Sequence, residues 1–153
     1  MAGQSFRAGV AIVVRDPATR RVLAFERVDA PGQWQLPQGG MDAGEEPVES
    51  AWRELAEEAG LGPDDVELVA EHPAWTVYEW PEDVRWREPS GRRGQAQRGF
   101  LFDVVRPDVE PVPDGREFGA WQWVEAGWLV EQVIAFRRGP YESVLPALLG
   151  SSA

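Results

Sequence analysis

Residues 46–60, EPVESAWRELAEEAG, constrain this chain more than any other stretch. Pro47 near the start, acidic neighbours and Gly60 at the end mark a helix. At about 100° per residue, Val48, Trp52, Leu55 and Ala59 fall on one stripe, and Glu54, Glu57 and Glu58 on a stripe nearly opposite. Like charges at that spacing destabilise an isolated helix by about a few tenths of a kcal/mol per pair, and a cation among them reverses the sign. Three carboxylates within one turn make a multidentate site for a hard divalent ion. The competing reading is a solvated acidic face, because glutamate is usually exposed. Two neighbours bear on the choice. Pro37-Gln38-Gly39-Gly40 is a turn whose backbone can approach a ligand closely, and Arg53 can pair with a carboxylate and fix its direction.

Around this helix the chain reads as an α/β protein. Residues 9–15 and 21–27 are β-rich segments joined by a polar turn and predict a hairpin. Residues 30–44 read as loop, 66–71 and 74–80 as strands, and 81–94 as a long mobile loop. Residues 99–105 and 120–124 read as strands, and 128–136 and 141–149 as helices split at Gly139-Pro140. That order suggests a mixed sheet with helices on both faces, and the 153 residues suit a single domain.

Composition removes several chemistries. The chain has no cysteine, which excludes disulfides and thiolate chemistry and fits a reducing, cytoplasmic setting. Its one histidine, His72, cannot build a His-rich zinc site, and no G-x-S-x-G elbow accompanies it for a serine triad. Carboxylate remains in quantity and favours Mg²⁺ or Mn²⁺. No apolar run approaches the roughly 20 residues of a membrane span, and no signal-peptide pattern opens the chain. A net charge of −11 argues against extended nucleic-acid binding, although a local arginine cluster could hold one terminus.

Residues 39–61, GGMDAGEEPVESAWRELAEEAGL, resemble the Nudix box G-x5-E-x7-R-E-U-x-E-E-x-G-U at every fixed position: Gly39, Glu45, Arg53, Glu54, Leu55, Glu57, Glu58, Gly60 and Leu61. The resemblance implies a Nudix-type α/β/α sandwich with a mixed β-sheet, spanning residues 1–153. It also implies a metal-dependent pyrophosphohydrolase that uses Mg²⁺ or Mn²⁺, with more than one ion once substrate is bound. By the same resemblance Glu54, Glu57 and Glu58 are metal ligands, helped by a backbone carbonyl near Gln38 or Gly39, and Glu45 and Arg53 brace the loop against the helix.

The resemblance continues outside the box. Residues 34–40, WQLPQGG, look like the WQ(F/L)PQGG of the branch that holds bacterial RNA pyrophosphohydrolases and plant-type dinucleoside tetraphosphate hydrolases. Residues 94–100 resemble its G-Q-x-Q-x-(W)-F segment, residues 117–124 its E-F-x-x-W-x-W and residues 133–138 its V-V-x-F-(K/R)-R. Gly99 stands where that branch has tryptophan, which implies space at the site or a shortened stacking surface. Carried over residue by residue, Glu117 completes the metal site or acts as base. Arg7 and Arg27 contact phosphates, Gln95 contacts substrate, and Phe136 stacks on a base with Arg137 beside it.

Plainer readings stand beside these roles. Phe136 could be core, Arg7 a solvated edge residue, and Arg92, Arg93 and Arg98 a solubilising group. Trp121 and Trp123 share a strand face and read as packing, and His72 reads as structural or exposed. Glu58 and Glu117 both remain open as the proton acceptor. The substrates implied are RNA 5′-triphosphate ends and diadenosine polyphosphates. The alternatives are a house-cleaning enzyme for NTPs or nucleoside-diphosphate sugars, and a non-catalytic nucleotide-binding module.

Overall fold

The structure, a computed structural model, describes residues 5–88 and 91–150. Its elements in chain order are β1 (Phe6–Arg15), β2 (Val22–Arg27), β3 (Trp34–Gln35), β4 (Gln38–Gly40) and α1 (Pro47–Ala59). There follow β5 (Val66–Glu71), β6 (Thr76–Glu79), α2 (Glu82–Arg87), β7 (Gly94–Val104), β8 (Phe118–Val124), α3 (Ala126–Gln132) and α4 (Ala135–Gly150). The strands form one mixed sheet in the order β3-β2-β1-β7-β5, with β4 added to β1, β6 to β7 and β8 to β2. β1 and β7 run parallel from Phe6↔Gly94 to Arg15↔Asp103, and the other pairings are antiparallel.

The sheet is apolar on both faces, which is why its strands read as continuous runs and not as alternation. Val10, Ile12 and Val14 of β1, Leu23 and Phe25 of β2, and Phe100 and Phe102 of β7 share one core with Ala51, Leu55 and Ala59 of α1. Trp52 closes its margin edge-on to Phe102, ring centres 4.8 Å apart. The intervening residues Val13, Val22, Ala24 and Leu101 face Leu129 of α3 and Tyr141, Val144, Leu145 and Leu148 of α4. Each fully buried side chain of this size stabilises the fold by about 1.5–3 kcal/mol relative to exposure. Helices therefore cover both faces of a mixed sheet, the sandwich expected from the sequence. No described helix is long and apolar enough to cross a membrane.

Several boundaries differ from the sequence reading. β1 starts at Phe6 and β7 at Gly94, because polar residues at their entrances hide the strands from a pattern search. Two short strands, β3 and β4, occupy the expected loop 30–44, and α2 occupies the expected loop 81–94. The last two helices are separated at Val133 and Ile134; α4 runs on through Gly139-Pro140. Pro140 withholds the amide that would otherwise bond the Phe136 carbonyl one turn earlier.

Candidate active site

Helix α1 is fixed at both ends before it carries any chemistry. Glu46 and Glu49 form a capping box, with the Glu46 amide donating to Glu49 Oε1 at 2.9 Å, and Gly60 ends the helix in the left-handed region at φ 66°. The acidic stripe is not the solvated face that a lone E-x-x-E-E suggests. Glu54 and Glu58 are 8% and 4% exposed, and only Glu57 stands largely in solvent.

Arg53 organises the loop around them. Its Nε and Nη2 fork onto Glu45 at 2.8 and 2.9 Å, Nη2 donates to the Gly40 carbonyl at 2.9 Å, and Nη1 reaches Glu54 at 2.9 Å and Glu57 at 3.3 Å. Paired with Arg53 and accepting the Asp42 amide, the Glu45 carboxyl is held down to about 2. Glycine is required opposite: a Cβ on Gly39 would lie 2.0 Å from the Glu54 carboxyl carbon, so that carboxylate rests against bare backbone.

Glu58 is under the greatest electrostatic load. Its Oε1 accepts the Gln38 amide at 3.1 Å, while its buried Oε2 has no hydrogen-bond partner. Burial, then the charges of Glu117 and Glu54, raise its proton affinity well above the usual carboxylate range. Burial also raises that of Glu54, against the pull of Arg53. Among the described residues no three acids are already converged as a cation cage. Glu57 is turned to Arg53, and Glu117 Oε1 stands 3.8 Å from Arg27 Nη1. The donor set is nonetheless all oxygen, with one buried acceptor facing other acceptors, which suits a hard divalent ion.

Glu117 enters from the loop before β8. Asp114 Oδ1 accepts the backbone amides of Arg116, Glu117 and Phe118 at 2.9, 2.9 and 3.0 Å. Burial opposes ionisation of Asp114, but these bonds hold its carboxyl below the ordinary range.

Three cavities run in series from this point. The first, ≈ 620 Å³, is lined by Glu54, Glu57, Glu58, Asp114, Arg116 and Glu117. The second, ≈ 350 Å³, shares Glu54 and Glu117 with it and adds Arg7, Arg27, Gly39, Gln95 and Arg137. The third, ≈ 450 Å³, shares Arg27 and Arg137 with the second and ends on Ile134 and Phe136. Arg7 lies over Gly40, where a Cβ would meet its Nη2 at 2.3 Å. Gln95 is buried, its Oε1 accepting Gln97 Nε2 at 2.8 Å. Phe136 belongs to neither core; it is half-buried against Tyr78, ring centres 5.9 Å apart, with the Arg137 guanidinium 4.9 Å from its ring.

The chain thus brings every site residue expected from the sequence to this row of cavities or to its bracing. Arg27 is more encumbered than expected: its Nε and Nη2 fork onto Asp29 at 2.8 and 2.9 Å. Gly99 lies elsewhere. It is buried in β7 under α4, where a Cβ would stand 2.7 Å from Val144 Cγ1, so its missing side chain opens no room at the site. Arg93 and Arg98 pair with Glu79 and Glu71. Gln35, Trp80, Val84, Glu88, Asp114 and Arg116 were not anticipated. A proline followed by two acids at Pro81-Glu82-Asp83 was the available signal for the helix that carries Val84.

A helix-covered mixed sheet carries a braced acidic helix that opens onto arginine-lined cavities, an arrangement that suits cations and an anionic ligand together. The chain belongs to the Nudix family: the NUDIX domain model matches residues 5–144, and the protein is a Nudix hydrolase. It is 40% identical over 152 residues to an RNA pyrophosphohydrolase of Rhodospirillum rubrum, covering 97% of this chain and 90% of that one. Its fold is similar to that of the E. coli dihydroneopterin triphosphate pyrophosphohydrolase, with a TM-score of 0.75 and 21% identity over 93% of this chain and 99% of that one. A C. elegans Ap4A hydrolase binary complex gives a TM-score of 0.70 at 20% identity, covering 95% and 98% of the two chains.

Proposed function

We propose that this protein is a divalent-metal-dependent pyrophosphohydrolase of nucleoside polyphosphates, acting by preference on 5′-triphosphate RNA ends and diadenosine polyphosphates. The observation that carries the reading is the serial arrangement of the cavities: carboxylates, then arginines, then an aromatic platform. A phosphate chain with a base at one end has that order of needs. The relative from R. rubrum, named for RNA, supports the branch.

Glu54, Glu57, Glu58, Glu117 and the Gly39 carbonyl would hold Mg²⁺ or Mn²⁺. Bound there, the ions supply charge neutralisation and a more acidic water. The protein's own residues do the rest. Arg7 and Arg137 hold phosphate oxygens, Gln95 borders the chain, and Phe136 stacks on a base without reading its identity. Water attacks a phosphorus; its proton passes to Glu117, and the bridging oxygen leaves with pyrophosphate or nucleotide. Glu117 suits the acceptor role better than Glu58, which is buried and anchored by the Gln38 amide. The net charge of −11 limits contact to the first few nucleotides of a transcript.

The test is a substrate panel with mass analysis of the products: 5′-triphosphate RNA, diadenosine tetraphosphate, free NTPs and ADP-ribose, each with Mg²⁺ and Mn²⁺. Rapid turnover of ADP-ribose beside inert RNA and dinucleotide would refute the branch assignment.

A further inference from the structure

Arg27 and Arg137 meet on one atom. Arg27 Nη1 and Arg137 Nη1 both donate to Gln35 Oε1, at 3.0 and 3.1 Å. Gln35 is 2% exposed and stands behind the cavity wall without lining it. It is placed by the pairing of β3 with β2, opposite Phe25. Its Nε2 faces the Leu36 carbonyl at 3.5 Å, which leaves Oε1 directed at the arginines.

The two arginines differ in what else they touch. Arg27 is forked onto Asp29, so its charge is largely spent within the protein. Arg137 makes no ion pair among the described residues. Besides Gln35 it meets Tyr78 Oη at 3.5 Å and the Phe136 ring at 4.9 Å, and Asp29 acts on it only at longer range. All its direct partners are neutral.

That neutrality has an electrostatic consequence. Two guanidinium groups on one acceptor would be held more strongly by a carboxylate than by an amide. A glutamate here would also cancel the charge it positions. In a protein of net charge −11, an uncancelled cation beside an anionic ligand is scarce.

We propose that Gln35 is a charge-sparing positioning residue. It fixes the Arg137 guanidinium at the junction of the arginine and aromatic cavities, so that a substrate phosphate and not a protein carboxylate becomes its ionic partner. The proposal rests on reading those cavities as a nucleoside-polyphosphate site.

The experiment measures the affinity of the full chain for adenosine 5′-(α,β-methylene)triphosphate by calorimetry at two ionic strengths, alongside KM and kcat on 5′-triphosphate RNA. Gln35→Glu keeps the acceptor and adds charge. Binding should weaken by about 10-fold, with the loss falling on KM far more than on kcat. Its salt dependence should also become shallower. Gln35→Met removes the acceptor and keeps the charge balance; it should weaken binding while retaining the steep salt dependence. A merely structural glutamine would not split the two variants in this way. Arg137→Gln is the reference. If it weakens binding and Gln35→Glu does not, the proposal is overturned alone. If Arg137→Gln itself binds normally, the phosphate-binding reading of Arg137 falls and takes the proposal with it.

Discussion

Asp114 holds Glu117 by the backbone and not by the side chain. One carboxylate oxygen, Asp114 Oδ1, accepts the Glu117 amide at 2.9 Å together with the amides on either side. The main chain of Glu117 is thereby fixed, while its carboxylate lines the cavity beside the acidic helix, 3.8 Å from Arg27 Nη1. Glu117→Gln should lower kcat and kcat/KM together, as expected for a group that acts in the transition state. Asp114→Ala should lower kcat by about 10-fold, and Asp114→Asn, which keeps the accepting oxygen, should recover most of it. Steady-state kinetics of the three variants decide; a change confined to KM in Glu117→Gln would make Glu117 a binding residue.

Removing a ligand charge should be far more severe. Glu57→Gln and Glu58→Gln should each lower kcat by at least ~10²-fold. Gly39→Ala should act in the same direction without touching a carboxylate, since its Cβ would occupy space 2.0 Å from the Glu54 carboxyl carbon. Excess EDTA should abolish turnover and added Mg²⁺ or Mn²⁺ restore it; full activity in EDTA would be decisive against the metal reading.

The load on Glu58 makes stability depend on pH and metal in a defined direction. Its proton affinity is raised above the ordinary 4.5 by burial first and by Glu117 and Glu54 next. The folded protein therefore binds the proton more tightly than the unfolded chain. The contribution is complete below 4.5 and is lost as pH rises above it. Without metal, Tm should fall between pH 5 and pH 8 more in the wild type than in Glu58→Gln. Mg²⁺ should raise Tm more at the upper end, because binding must displace the proton. Thermal melts at both pH values, with and without Mg²⁺, give the four melting temperatures needed for each protein.

Glu45 has the opposite sign. Held down to about 2 by Arg53 first and the Asp42 amide next, it stabilises the loop above its ordinary value of 4.5 and loses that contribution as pH falls towards 2. Glu45→Gln should loosen the hold of Arg53 on the Gly40 carbonyl and weaken Mn²⁺ affinity by about 10–100-fold, measured by titration.

Phe136→Ala should raise KM for both RNA ends and diadenosine tetraphosphate with little loss of Tm, because the ring lies outside both cores. Base–aromatic stacking of about 1–3 kcal/mol corresponds to a KM increase of about 5- to 150-fold. A large fall in Tm with unchanged KM would return Phe136 to a packing role.

What was legible in the sequence follows the physics of each signal. The box helix was readable because its two stripes, its cap and its terminal glycine all agree. The strand interiors Val10 to Val14 and Phe100 to Phe102 were readable because both sheet faces are buried. Strand entrances were not, because Arg7, Gln95 and Gln97 interrupt the apolar pattern where the cavity needs polar groups. β3 and β4 are too short for any period to register. The helix boundary near Val133 was misplaced because Gly139-Pro140 is the louder local signal, yet α4 keeps its course by burying Tyr141, Val144 and Leu148. Gln35 acts on Arg137, 102 residues away, a nearness that only the folded chain reveals; the Asp114 turn is local, and Asp114-Gly115 was its overlooked signal.

The parallel pairing of β1 with β7 also sets an order in time. Arg15 and Asp103, bonded at 2.8 Å, are 88 residues apart, and Arg7 faces Gln95 across the same ladder. During synthesis β1 has no β7 to pair with until Gly94–Val104 has left the ribosome, whereas α1 can coil as soon as it emerges. The acidic helix is thus made long before Gln95 and Arg137, which complete the wall that Arg7 and Arg27 begin. A message truncated before β7 would yield a chain bearing Arg7, Arg27 and the glutamates of α1 but neither Glu117 nor Arg137, with the edge of β1 still open to other chains.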